Sequence, residues 1–502
     1  MKIPCYHNVW MDNGIENLYR TLKDVEGVRV KLNECQLEFD ITNDLRFLEE
    51  FKKAIESKMD SIIFVKRKDE KTGIIKNVKK DYILSQYGKK IGDKNVLKEK
   101  IYSETEGRLK EIFENLEEGN KTCILCGKSY FRSIDKLKQS VYPFVTKIRS
   151  LSGIRTIKSL KDYNDALCPL CYLIGALEWT DECIIFRSFL GGGERRYSIV
   201  ILPSMSNLQE LHEFKKKYST ILQSQDIISN LRTKTGRYLE GESTTLLYFY
   251  EEFFNKIWFQ SETPEDWLDY IGAEKEICRN WVIMKIPSGA VKNIKYEKIE
   301  ISSSILRVIY ELTKNGKLIY SSLIDKIFFI FEERNPERER EISQEIKEKI
   351  SAAFLEDNLD VFASYLLPRK GGYVIFPPEA ENVIYELINL WRWNKMRLSD
   401  DELKNLKDVA RIVATIADEG HIGILYKLDK ARNPDEFLNG LRELSRRILA
   451  LKDEKRERIY PPALETLVEI LEKNKENKEL FEDVKNVLVI FSCVETSKIK
   501  RK

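Results

Sequence analysis

Two CxxC pairs, KTCILCGK at 121–128 and ALCPLCYL at 166–173, constrain this chain more than any other feature. They use four of its nine cysteines. A CxxC turn sets two sulfurs on one side of a tetrahedral metal, so two such turns complete a set of four thiolate ligands at about 2.3 Å. Cys123, Cys126, Cys168 and Cys171 are therefore the candidate ligands of a structural Zn2+, with Gly127 supplying the sharp turn after the first pair. The 41 residues between the pairs exceed the roughly 15–20 of a zinc ribbon, so the intervening loop is expected to form a small insertion. Four thiolates leave no open position for water, which argues against catalytic zinc. A thioredoxin-type redox pair lacks its surrounding βαβ pattern. Cys183, in a strand-like run, reads as a core residue, as do Cys5, Cys35, Cys278 and Cys493.

At 502 residues the chain exceeds the size at which one hydrophobic core stops growing, so more than one domain is expected. The pattern predicts an α+β chain. Asp12-Asn13-Gly14 precedes a helical stripe of Ile15, Leu18 and Leu22 that the Asp or Asn can cap. Val28, Val30 and Leu32, then Leu37, Phe39 and Ile41, alternate as an antiparallel hairpin. A helix over 44–58, a second hairpin across KDEKTG, and a third pairing 183–189 with 197–203 follow. From 205 onward the text is mainly helical: 207–226, 241–258, 264–280, 303–334 and 338–366, with one strand at 281–287 and a Pro/Gly break at 367–379. The last hundred residues read as an antiparallel helix bundle. The expected divisions are a mixed N-terminal region with β-hairpins (1–120), a zinc-pinned insertion (121–175), a hairpin plus a largely helical middle (176–395), and the bundle (396–502).

No apolar run approaches the 18 or more residues of a membrane span, and MKIPCYHNVW lacks the apolar core of a secretory signal. The expectation is a cytoplasmic protein without a membrane partner.

Net charge is only +3, but it is unevenly spread. Residues 66–100 hold 12 Lys/Arg against 5 Asp/Glu, a local +7, and are the best electrostatic candidate for phosphate contact. Within that segment Lys66, Arg67, Lys68, Lys71, Lys76, Lys79, Lys80, Lys89 and Lys90 are the candidate nucleic-acid contacts. Arg195 and Arg196, at the tip of the GGGERR turn, have the shape that reaches a groove or cradles a phosphate. Arg232, Lys234 and Arg237 form a third patch. A solvated lysine-rich surface would carry the same composition. Aromatic strings such as FYEEFFNKIWF have helical spacing and read as core.

No catalytic set stands out. His212-Glu213 begins an HExxH-like string, but Lys216 replaces the second histidine. No phosphate-binding P-loop, GxSxG elbow or two-metal acidic cluster is legible. The motif content predicts a binding role over an enzyme.

CILCG, a long insertion, and ALCPLCYLIGALEW followed by strands ending in ILPSM resemble the CXXC-CXXC group of large subunits of type I CRISPR interference (Cascade) complexes. VWMDNGIENLYRTL is similar to that family's N-terminal helix start. NPDEFLNGLRELSRR, YPPALETLVEIL and VLVIFSCVE resemble its terminal bundle.

The resemblance implies a non-catalytic subunit at the 5′-handle end of a CRISPR guide RNA, beside Cascade backbone and handle-binding subunits. Such a subunit recognises the protospacer-adjacent motif in target double-stranded DNA, aids strand separation toward an R-loop, and recruits a separate helicase-nuclease. It carries the zinc ligands onto Cys123, Cys126, Cys168 and Cys171, and assigns no motif-reading residue. It also makes Met396 a candidate internal start for a separate small-subunit-like fragment. The competing expectations are a stand-alone zinc-ribbon nucleic-acid-binding regulator and an enzyme whose site lacks a recognisable motif.

Overall fold

Asn8 starts the first helix, accepting hydrogen bonds from the backbone N–H groups of Trp10 and Met11 through its side chain. The helix, α1, runs Val9–Lys23, so Asp12-Asn13-Gly14 lies inside it and does not cap it. Each of the three has another task. Asp12 accepts from the Tyr6 and Asn8 N–H groups, fixing the entry of the chain. Asn13 donates to the Pro203 carbonyl, 2.9 Å away. Gly14 leaves room for a neighbouring helix, because a Cβ there would sit 2.7 Å from the Ile174 carbonyl oxygen.

The computed structural model describes residues 1–42, 44–62, 64–68, 75–79, 98–134, 141–143, 167–189, 197–222, 241–260, 277–287, 295–369, 371–396, 399–457, 459–473 and 476–501. The chain is α+β and divides into two compact units. Unit 1 holds 1–238 and 273–300, and unit 2 holds 239–272 and 301–502. Both are discontinuous in sequence. Residues 176–395 are thus shared between the units, and residues 396–502 belong to a larger body.

In unit 1, β1 (Lys2–Pro4), β3 (Gln36–Ile41) and β2 (Val28–Leu32) form an antiparallel sheet in that order. The hairpin has the expected pairing, from Val28 opposite Ile41 to Leu32 opposite Leu37. After α2 (Asp44–Ile62), β4 (Phe64–Lys68) pairs with β5 (Ile75–Lys79), and α3 (Lys98–Glu114) leads to the first CxxC pair. That pair lies between two short paired strands, β6 (Lys121–Thr122) and β7 (Ser129–Tyr130). The second pair opens α4 (Pro169–Leu177). Strands β8 (Ile185–Phe189), β9 (Tyr197–Ser204), β10 (Asn280–Pro287) and β11 (Lys295–Glu300) build an antiparallel sheet of four, with α5 (Leu208–Leu222) following β9. Trp10, Met11, Phe39, Phe51, Leu173 and Leu177 share one core that also takes in Cys123, Cys168 and Cys171.

Among its described residues, unit 2 is helical apart from one strand pair. Helix α6 (Glu242–Gln260) buries Phe249, Tyr250, Phe253 and Phe254, as their helical spacing predicts. The helical text expected over 303–334 holds only as far as Ile324. Helix α7 (Ser303–Lys314) ends before Gly316, whose φ is +69°, and a π-helical turn at Ile319–Ile324 precedes β12 (Phe328–Phe331). Strand β12 pairs with β13 (Gly372–Ile375), which lies inside the Pro/Gly stretch taken as a break. A four-residue strand becomes legible only through a partner forty residues away. Helices α8 (Pro336–Leu355), α9 (Leu359–Leu366) and α10 (Pro378–Met396) follow.

The C-terminal helices are α11 (Asp400–Ile416), α12 (Gly423–Asp429), α13 (Pro434–Leu449), α14 (Asp453–Arg456), α15 (Pro462–Lys473) and α16 (Lys478–Lys500). Asn433 caps α13 ahead of Pro434, as expected. Helix α16 is buried along most of its length. Its partners include α9, α10 and β13 as well as bundle helices: the Ser497 hydroxyl accepts from the Phe376 N–H, and Phe491 meets the Tyr385 ring at 4.9 Å. Among the described residues no helix is long and apolar enough to cross a membrane.

Candidate metal centre

The first CxxC pair is shaped by its own backbone. The Cys123 N–H bonds the Lys128 carbonyl, and the Gly127 N–H bonds back to the Cys123 carbonyl, both at 2.9 Å. Gly127 takes φ +69°, which only glycine adopts without strain. The second pair uses a helix start. Cys168 is the N-cap of α4, Pro169 occupies the first turn, and the Cys171 N–H points at the Cys168 sulfur from 3.4 Å.

All four sulfurs lie within 4.8 Å of one another. Cys126 Sγ and Cys168 Sγ are 3.7 Å apart. The edge of a tetrahedron of sulfurs about 2.3 Å from a central ion is about 3.8 Å, so the spacing fits a four-thiolate metal site. Outer-sphere donors are also present. The Cys168 N–H reaches Cys123 Sγ at 3.4 Å, and the Tyr6 hydroxyl lies 3.2 Å from Cys171 Sγ.

The sulfurs also compete for protons. The thiols of Cys126, Cys168 and Cys171 hydrogen-bond to Cys123 and hold it well below the usual thiol range. Cys126 is raised by Cys123, but Cys168 and Cys171 outweigh that and bring it down to about 7. Cys168 and Cys171 are pushed up, chiefly by Cys123. A cluster of this kind stabilises negative sulfur only in part. A divalent cation would complete the neutralisation and displace the remaining protons.

Unit 1 also holds a buried ion network that the sequence does not announce. Lys215 Nζ lies 2.5 Å from Asp181 Oδ2 and 3.1 Å from Glu16 Oε2, all three side chains wholly buried. Arg20 bonds Glu16 at 2.8 Å, Asp181 at 2.5 Å, and Glu182. His212 Nδ1 contacts Glu16, and Lys58 reaches Glu182 at 3.6 Å. Three carboxylates face three fixed cations. Burial raises Glu16, but Arg20 and Lys215 outweigh it and hold that carboxyl at about 2. Glu178, wholly buried with neither oxygen hydrogen-bonded among the described residues, is pushed well above the usual carboxyl range by burial. Asp181, Glu182 and Cys183 also lie close enough to share an ion. Arg20 and Lys215 already neutralise that cluster, so it does not fit a cation. Cys183 is buried, as expected of a core residue.

Among the proposed nucleic-acid contacts, Lys66, Arg67 and Lys68 lie on β4, and Lys76 and Lys79 on β5. Arg67 and Lys76 occupy directly paired positions. Lys71, Lys80, Lys89, Lys90, Arg195, Arg196, Arg232, Lys234 and Arg237 lie outside the described residues. The strands flanking Arg195 and Arg196 pair as expected, with Phe189 opposite Tyr197.

The ion network offered little signal in the sequence. Glu16 and Arg20 have helical i,i+4 spacing, and EWTDE after an apolar helix reads as a solvated turn. No protein-family model matches the chain, and no curated protein matches it.

Proposed function

We propose that the chain is the non-catalytic large subunit of a guide-RNA surveillance complex in antiviral defence, with one structural Zn2+ held by Cys123, Cys126, Cys168 and Cys171. In this reading it recognises a protospacer-adjacent motif in duplex DNA, aids strand separation and recruits a helicase-nuclease. The observation that carries it is the convergence of the four sulfurs from CILC and CPLC, the two motifs on which the family likeness rests. All-thiolate donors favour zinc among the divalent ions of a cell and leave no position for substrate. The metal would cross-link the β6–β7 turn to the start of α4 and take no part in chemistry.

The β4–β5 hairpin supports the nucleic-acid side of the reading. Its backbone register sets Arg67 opposite Lys76 within the most basic stretch of the sequence, a concentration of positive charge that suits a phosphate backbone.

Co-expression of the tagged chain with its genomic neighbours, followed by sequencing of bound RNA, tests the proposal. Uniform guides carrying a repeat-derived handle are the expected result. An RNA-free protein that binds DNA alone would replace it with the stand-alone zinc-ribbon regulator.

A further inference from the structure

The five cysteines outside the metal centre do not share one environment. Cys183, Cys278 and Cys493 are buried, as core residues are, whereas Cys35 is exposed and Cys5 is half-buried. The expectation that Cys35 is a core residue is therefore corrected. Strand β1 explains where it lies. Pro4 pairs with Gln36, and the next rung places Cys5 directly opposite Cys35, its N–H donating to the Cys35 carbonyl at 2.7 Å. A hydrogen-bonded antiparallel pair has its Cα atoms about 5.5 Å apart. That lies inside the span a disulfide bridges, about 4.4–6.8 Å.

A third group completes the arrangement. His7 Nε2 lies 3.6 Å from Cys5 Sγ. His7 is held at φ +51°, a conformation few non-glycine residues take. Cys5 and His7 both line a cavity of about 170 Å3, with Asp12, Ser204 and Asn207 on its wall.

We propose that Cys5 and Cys35 are a reversible thiol-oxidation site that closes a cross-strand disulfide in response to a small disulfide oxidant of the glutathione type. The exposed Cys35 thiolate attacks one sulfur of the oxidant, forming a mixed disulfide and expelling one small thiolate, which takes up a proton. Cys5 Sγ then attacks the Cys35 sulfur as His7 Nε2, in the tautomer that leaves it unprotonated, accepts the Cys5 proton. The second small molecule leaves as its thiolate, and His7 returns its proton to that thiolate, directly or through water. Two protein thiols lose two electrons and two protons, and the oxidant gains them as two thiols. Burial, and then Asp12, raise the Cys5 thiol above its ordinary value, so ring closure depends on His7 as proton acceptor. An exposed bridge of this kind is readily reduced, which suits a reversible switch in a reducing compartment.

The full metal-loaded chain is incubated in glutathione buffers of increasing oxidised fraction, acid-quenched, alkylated and mapped by mass spectrometry. The expected product is a peptide carrying Cys5 joined to one carrying Cys35, restored to two free thiols by dithiothreitol. Cys5→Ser should trap glutathione on Cys35. Cys35→Ser, at an exposed position, should yield no bridge and leave Cys5 alkylatable. His7→Gln should slow closure several-fold without moving the end point. Both cysteines remaining alkylatable in the most oxidising buffer would overturn the proposal, as would a bridge from either one to any other cysteine.

Discussion

The Tyr6 hydroxyl lies 3.2 Å from the Cys171 sulfur, joining the segment after β1 to a candidate metal ligand 165 residues away. Outer-sphere donors to a metal-bound sulfur typically contribute about 10–100-fold in affinity. Tyr6→Phe should therefore retain one metal per chain but lose it to a chelator at roughly tenfold lower concentration. Cys123→Ser or Cys168→Ser should abolish stoichiometric zinc altogether. Zinc content by mass spectrometry before and after chelator titration checks both, and unchanged stoichiometry in the serine variants would refute the assignment.

Lys215 is wholly buried between Asp181 and Glu16. Removing one partner of a buried ion pair strands the opposing charges, at a cost of about 3–5 kcal/mol. Lys215→Met should lower the thermal midpoint of the full chain by several degrees, and Lys215→Arg by less. Equal midpoints for Lys215→Met and the parent would show that the network contributes little.

Glu251 accepts from the Tyr320 and Ser321 N–H groups, and Glu348 from those of Ser243 and Thr244. Burial raises both carboxyls to about 7. Folded-state values above an unfolded value near 4.5 mean that the folded chain holds more protons between about pH 4.5 and 7. The stabilisation is present below that window, is lost as pH rises through it, and amounts to roughly 3 kcal/mol for each group. Denaturant midpoints should fall from pH 5 to pH 8, and the Glu251→Gln/Glu348→Gln double variant should flatten the slope. A midpoint that rises over this range in the parent would contradict the assignment.

A Cβ on Gly175 would fall 2.2 Å from the Val141 carbonyl oxygen. Trp10 Nε1 donates to the same oxygen at 2.8 Å and to the Gly175 carbonyl at 3.1 Å, so little can give way. Gly175→Ala should destabilise by about 1–3 kcal/mol or more through overpacking and displace α4, which carries Cys171. Thermal unfolding together with zinc retention tests this, and wild-type behaviour in both would show that the helix shifts freely.

Arg195 and Arg196 fall in the sequence between paired Phe189 and Tyr197, in a stretch outside the described residues. Replacing both by Ala should weaken DNA capture several-fold and flatten its salt dependence, while complex assembly is unchanged. Binding measured across a salt series decides it, and unaltered affinity at physiological salt removes these two arginines as contacts.

The C-terminal helices illustrate how far periodicity carries. The stripe Leu403, Leu406, Ala410, Val413 is buried as its spacing predicts. Their self-sufficiency was not legible, because α16 also packs on α9, α10 and β13, which precede Met396. A fragment starting at Met396 would leave the Phe491 and Ser497 face of α16 without Tyr385 and Phe376.

The sequence by itself determined which four cysteines cluster, the helix capped at Asn433 and the β2–β3 hairpin, since each rests on spacing within a few residues or on a repeated local device. Only the tertiary structure decided that Lys215 meets Asp181, that β12 finds β13, and that Cys5 faces Cys35. Those relationships join positions with no common local pattern, and a three-residue strand such as β1 carries too little periodicity to fix its register. A buried charge and a solvated one are also the same letter until packing removes the water around one of them.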